Sequence, residues 1–66
     1  MDEMRAQVSA AIAALPLNQR IALTLFEYES CSYDQIAAVL DVSVEAVRSL
    51  LMRARTTLRR ELKGLL

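Results

Sequence analysis

Six basic side chains, Arg48, Arg53, Arg55, Arg59, Arg60 and Lys63, follow residue 47 and face one acid there, Glu61. The preceding residues carry only Arg5 and Arg20, against Asp2, Glu3, Glu27, Glu29, Asp34, Asp41 and Glu45. The chain is neutral overall, yet its end is a concentrated cation. A charge asymmetry of this kind points to a polyanion contacted from one end. Arginine grips guanine through two hydrogen bonds in the major groove, and a methionine packs on a thymine methyl. Arginine and lysine further along such a helix serve phosphates, which fix position without reading sequence.

That chemistry requires the cations to share one side of a rigid element. At about 100° per residue, with Arg48 at the origin, Val44, Val47, Leu50, Leu51, Ala54, Leu58 and Leu62 cluster on one face. Arg48, Ser49, Met52, Arg53, Arg55, Thr56, Arg59, Arg60 and Lys63 occupy the other. One face packs and the other is basic. Glu45 also projects onto the basic face, where it opposes phosphate.

Helical signals cover nearly the whole chain, and no strand-like alternation appears. The expected class is all-α: a four-helix domain over residues 1–66, with helices at about 2–14, 16–29, 32–40 and 43–63. Met4, Val8, Ile12 and Leu15 form the apolar stripe of the first helix, and Asp2 and Glu3 suit the positive end of its dipole. Pro16 opens the second helix, where its missing N–H is not needed. Ile21, Ala22, Leu23, Leu25, Phe26 and Tyr28 spread too widely around that helix for a one-sided stripe. They are either tightly buried in a small bundle or form a second face for a partner helix. Ser32 and Gln35 make a capping box at the start of the third helix, with Cys31 and Ile36 as its hydrophobic staple. Ser43 caps the fourth, with Val42 and Val47 as its staple. Gly64 is placed to close its C-terminus.

A short helix, a tight turn and a longer helix make a helix-turn-helix. Ala37 supplies the small residue at the crossing, and Ile36, Leu40, Val42, Val47 and Leu51 supply the apolar interior. The second helix of such a motif enters the major groove, its N-terminal half against base edges. Arg48, Ser49, Met52 and Arg53 lie in that half. The arrangement is winged-helix-like, without strands.

Composition excludes other classes. The chain has no histidine, one cysteine and one glycine. A structural zinc site lacks ligands, no disulfide closes within the chain, and no glycine-rich phosphate loop or activated nucleophile is present. An enzyme is not expected, nor a cofactor, metal or catalytic residue. The staple position makes Cys31 a packing residue. No apolar run approaches the length of a membrane span, and Asp2 and Glu3 argue against a signal peptide over residues 6–15.

The segment from Leu15 to Leu62 resembles region 4 of bacterial sigma factors of the extracytoplasmic-function class. The resemblance is carried by Leu15-Pro16 followed by Arg20, by Ser32-Tyr33 opening onto Ile36-Ala37-Ala38, by Asp41-Val42 at the turn, and by Val47-Arg48-Ser49 with Arg53-Ala54-Arg55. It implies a domain that reads the promoter −35 element and docks on the β-subunit flap of RNA polymerase, in the bacterial cytoplasm at the nucleoid. Family positions that touch DNA fall on Arg20, Arg48, Ser49, Met52 and Arg53. Arg55 completes the expected DNA-binding set. The resemblance also implies an anti-sigma factor as partner. It turns the broad apolar surface of the second helix into part of a protein-docking groove.

Four positions depart from the family pattern. Glu45-Ala46 replaces the frequent Gly-Thr, Leu50 stands where many members are basic, and Met52 replaces an aromatic or histidine. Leu50 and Glu45 favour an alternative, a sigma-like module whose main partner is a protein. The effector domain of a two-component-type regulator fits the same motifs less well. A sigma factor also needs a second domain to melt the −10 region, so the chain is expected to be one domain of a larger protein.

Overall fold

The computed structural model describes residues 2–63, and within them four helices follow one another: α1 (Asp2–Ala13), α2 (Leu17–Glu27), α3 (Tyr33–Leu40) and α4 (Val44–Glu61). At about 1.5 Å per residue the 18 residues of α4 run for roughly 27 Å. The molecule's longest dimension is 34 Å. The other three helices pack against this spine, α2 and α3 most extensively.

The core is purely apolar among the described residues. Ile36, Val47 and Leu51 are the largest side chains with no solvent exposure. Ala22 on α2 and Ala54 on α4 are equally sealed. Small residues at these positions let the two helices that share the largest interface approach closely. Ala37 is buried on α3, as its expected place at the crossing requires. Phe26, Leu40, Val42, Val44, Leu50 and Leu58 close the edges of this cluster.

Local chemistry fixes where the helices begin. Ser32 Oγ accepts the Gln35 N–H at 3.1 Å, and Gln35 Oε1 accepts the Ser32 N–H at 2.8 Å. These reciprocal bonds satisfy two otherwise orphaned donors at the start of α3. Ser43 Oγ accepts the Ala46 N–H at 3.0 Å and opens α4 with the hydroxyl half of that arrangement. Between them the chain turns in three residues. Asp41 adopts the left-handed conformation (φ 57°), and the Val42 N–H returns to the Ala37 carbonyl at 3.0 Å. That is the six-residue closure of a Schellman turn.

Replacing Ser32 by Ala removes the Oγ that accepts the Gln35 N–H and leaves the backbone N–H that donates to Gln35 Oε1. The expected cost is about 1 kcal/mol, a fall of roughly 4–8 °C in the melting temperature of a domain this size. Thermal unfolding followed by circular dichroism checks it.

Three details differ from the sequence expectation. Pro16 is the N-cap of α2 and not its first helical residue: its ψ of 148° is extended, and the helix begins at Leu17. The helix also stops at Glu27, two residues before Glu29. Ser30 takes a left-handed conformation (φ 55°), and the Cys31 N–H bonds back to the Leu25 carbonyl at 3.0 Å. This reversal ends the helix before Tyr28, which is left mostly exposed. Third, the stripe on α1 is buried only toward its end. Met4 is exposed, Val8 and Ile12 are half-buried, and Leu15, beyond the helix, is buried. The expected cap at Gly64 lies outside the described residues.

Candidate nucleic-acid interface

α4 is held by its apolar side and leaves its basic side open. Val47, Leu51 and Ala54 are fully buried, and Leu62 nearly so. Arg48, Met52, Arg53, Arg59 and Arg60 are exposed, and Met52 keeps 60% of its surface in solvent. Leu50 turns to the core, where it packs against the buried cluster. Its apolar character therefore does not intrude on the basic face. Glu45 is exposed in the first turn of α4.

Ser49, Met52 and Arg53 come together around a shallow hollow completed by Gln19, Thr56 and Thr57. Arg48 stands beside it, its guanidinium 5.9 Å from the centre of the Tyr33 ring. The ring in turn packs on Phe26 at 5.4 Å, tilted by 59°. A cation over an aromatic face gains about 0.5–1 kcal/mol at an exposed site. Tyr33 therefore restrains an arginine that would otherwise sample many rotamers.

Arg20 and Arg55 are not part of this group. Arg20 Nη1 donates to the Ala13 carbonyl at 3.1 Å. It satisfies one of the carbonyls left open at the end of α1 and ties that helix to α2. Arg55 leans the other way around α4, its guanidinium 5.4 Å from the Phe26 ring centre and 3.8 Å from Glu27. Both partners of that ion pair are about half exposed, so its main effect is to orient Arg55 toward α2. The helical wheel had placed Arg55 at the margin of the basic face, and α2 draws it off that face.

The side to which Arg55 turns carries a groove of about 540 Å³. Ile12, Leu23, Tyr28 and Leu58 line it with apolar surface, and Glu27, Arg55 and Arg59 rim it. Tyr28, just past the end of α2, is the exposed apolar residue from this side of the chain that faces the groove, while Ala22 and Leu23 are taken up by the core and Leu25 and Phe26 pack against it.

Sequence reasoning missed two residues here. Tyr33 could have been found from its place beside the capping Ser32, which sets it at the foot of α3 near the start of α4. Gln19 was overshadowed by the charge of its neighbour Arg20.

Residues 5–58 match the family model described as Sigma-70, region 4. The chain belongs to the sigma-70 region 4 family. Over 65 residues, 98% of the chain, it is 45% identical to the RNA polymerase sigma-H factor of Pseudomonas aeruginosa. It is 38% identical over the same share to the ECF RNA polymerase sigma-E factors of Escherichia coli K12 and Salmonella typhimurium. The chain spans about a third of the length of these relatives, 34% in each case. The extracytoplasmic-function resemblance read from the sequence thus agrees with the comparisons, and the fold of this region 4 domain is an all-helical helix-turn-helix. The matched span contains Arg48, Ser49, Met52 and Arg53 but stops short of Arg59, Arg60 and Lys63. Among the described residues no helix is long and apolar enough to cross a membrane.

Proposed function

We propose that this region 4 domain reads a promoter −35 element as part of a sigma factor that directs RNA polymerase to start transcription, without catalysing a reaction itself. One observation carries the reading: Arg48, Met52 and Arg53 are exposed on the same α4 whose Val47, Leu51 and Ala54 are fully buried on the opposite side. In this reading α4 enters the major groove. Arg48, Ser49, Met52 and Arg53 face base edges, and Arg59, Arg60 and Lys63 lie along phosphates. Arg20 and Arg55 hold helices together and leave the DNA to the others. Residues 1–66 act as one domain, in the cytoplasm.

A second surface supports a protein partner. The groove between α1, α2 and α4 combines apolar walls with charged residues at its edge, the chemistry that takes an amphipathic helix. It fits the polymerase β flap and an anti-sigma factor equally. The groove shares Arg59 with the basic side of α4 but none of Arg48, Ser49, Met52 and Arg53, so one chain serves both roles.

Binding of the chain to a −35 duplex and to a scrambled duplex, followed by fluorescence anisotropy across a salt series, tests the proposal. The three phosphate-facing cations, with Arg48 and Arg53 adding at most one unit each, give a slope of roughly −3 to −5 in log K against log salt, with the −35 duplex preferred. Failure to bind every duplex at low salt, beside tight binding of a polymerase-flap or anti-sigma fragment, selects the protein-interaction module instead.

Glu45 provides an internal control. Replacing it by Gln removes a negative charge from the DNA-facing side of the first turn. Affinity is expected to rise about two- to threefold at low salt and less at high salt, where screening is strong. Stability falls by about 0.3–1 kcal/mol, because the carboxylate also favours the helix N-terminus. The same anisotropy series and a thermal melt measure the two opposing effects.

A further inference from the structure

The chain has two glutamines at the third position of a helix, and only one of them is used. Gln35 closes the capping box of α3 by accepting the Ser32 N–H. Gln19 holds the equivalent place in α2, but the residue at its N-cap is Pro16, which has no N–H to offer. Its Oε1 is shut off from solvent and accepts no hydrogen bond from the described residues. A buried acceptor left in this way is costly and invites a donor that arrives with a change of state. Gln19 faces the hollow formed with Ser49, Met52, Arg53, Thr56 and Thr57. Arg53 brings to that hollow a planar fork of five N–H donors, none of which it can turn into an acceptor. The neighbouring Arg20 is tied to Ala13 and contributes nothing there.

We infer that Gln19 is a positioning residue for Arg53: its side-chain carbonyl accepts an N–H of the guanidinium when Arg53 extends onto a base. A bidentate contact to guanine engages two of the five donors, so others remain to point back at α2. A planar cation held from behind presents its fork at one angle, and an incorrect base then cannot be met by a small rotation. α2 would thereby take part in reading sequence without touching a base. This inference rests on the promoter-binding reading above.

The test is a panel of −35 duplexes, each with one base pair changed, titrated with the wild-type chain and with variants. Arg53→Ala first identifies the base pair that Arg53 reads, as the one at which discrimination disappears. Gln19→Leu is expected to lose about tenfold in discrimination at that base pair and at no other, the size of one hydrogen bond to a charged group. It should melt no lower than wild type, because it removes the unpaired oxygen. Gln19→Glu keeps an acceptor and should keep the discrimination, even where its charge weakens binding to all duplexes. In the Arg53→Ala background Gln19→Leu should change nothing further. Gln19→Asn, which withdraws the oxygen by one carbon, repeats the test should the leucine variant fold poorly. Unchanged discrimination in both loss variants overturns the inference. So does a loss equal across all duplexes, or a loss of the same size with Arg53 already removed. If Arg53→Ala alters no base pair, the promoter-reading face itself fails, and the Gln19 inference falls with it. An effect of Arg53→Ala without one of Gln19→Leu sinks the inference alone.

Discussion

Replacing Leu51 by Ala is expected to leave the domain largely unfolded near 37 °C. Leu51 has no solvent exposure and sits in one cluster with Ile36 and Val47. Truncating a leucine in such a site costs about 2–5 kcal/mol, part of it from the cavity left behind. A natural domain of this length has only about 3–10 kcal/mol to lose. The chain has few ways to compensate. With a single cysteine it closes no disulfide within itself, and its buried core is apolar throughout the described residues. The melting temperature should fall by at least about 10 °C. Leu50→Ala, at a half-buried position one residue away, should cost far less. Circular dichroism melts of the two variants make the comparison. Equal small shifts would mean that α4 does not present Leu51 to the core.

Arg53→Ala and Arg48→Ala are the second pair with large expected effects, and here the fold should survive. Both side chains are exposed. Arg48 has the Tyr33 stack to lose, worth no more than about 1 kcal/mol. On DNA the loss is greater. A bidentate arginine contact carries about 1–3 kcal/mol of discrimination against the wrong base, so each variant should lose tenfold or more in preference for the −35 duplex. Each should also lower the salt slope by at most about one unit. Arg55→Ala separates charge from geometry. It removes the same charge from the same helix, but its guanidinium is drawn toward Phe26 and Glu27. It is expected to weaken the α2–α4 contact and to leave discrimination unchanged. If all three variants lose preference equally, helix charge and not side-chain direction controls binding.

Much of this arrangement was legible from residue types. The Ser32–Gln35 pair and Ser43 mark helix starts because a hydroxyl three residues ahead of a free N–H has one good use, and the structure uses both in that way. The two faces of α4 were readable because Val47, Leu51 and Ala54 recur at helical spacing while Arg48, Met52 and Arg53 fall between them. What the sequence did not disclose depended on tertiary neighbours. Arg20 and Arg55 look like their charged companions until Ala13 and Phe26 are placed beside them. The end of α2 two residues early depends on a left-handed Ser30, a conformation that serine adopts only when the surrounding turn demands it. Met4 and Val8 carry the helical period of a buried stripe, yet nothing in a periodicity says how far the neighbouring helices reach along α1. Gln19 went unnoticed because its significance lies in a hydrogen bond that Pro16 cannot donate.

Mapping of amide and side-chain NMR shifts on titrating the chain with a −35 duplex tests the central claim most directly. The largest changes should fall on Arg48, Ser49, Met52 and Arg53, with smaller ones at Gln19 and Tyr33. The groove residues Ile12, Tyr28 and Leu58, together with Arg20 and Arg55, should scarcely move. Shifts concentrated in that groove, with the exposed face of α4 silent, would contradict the account.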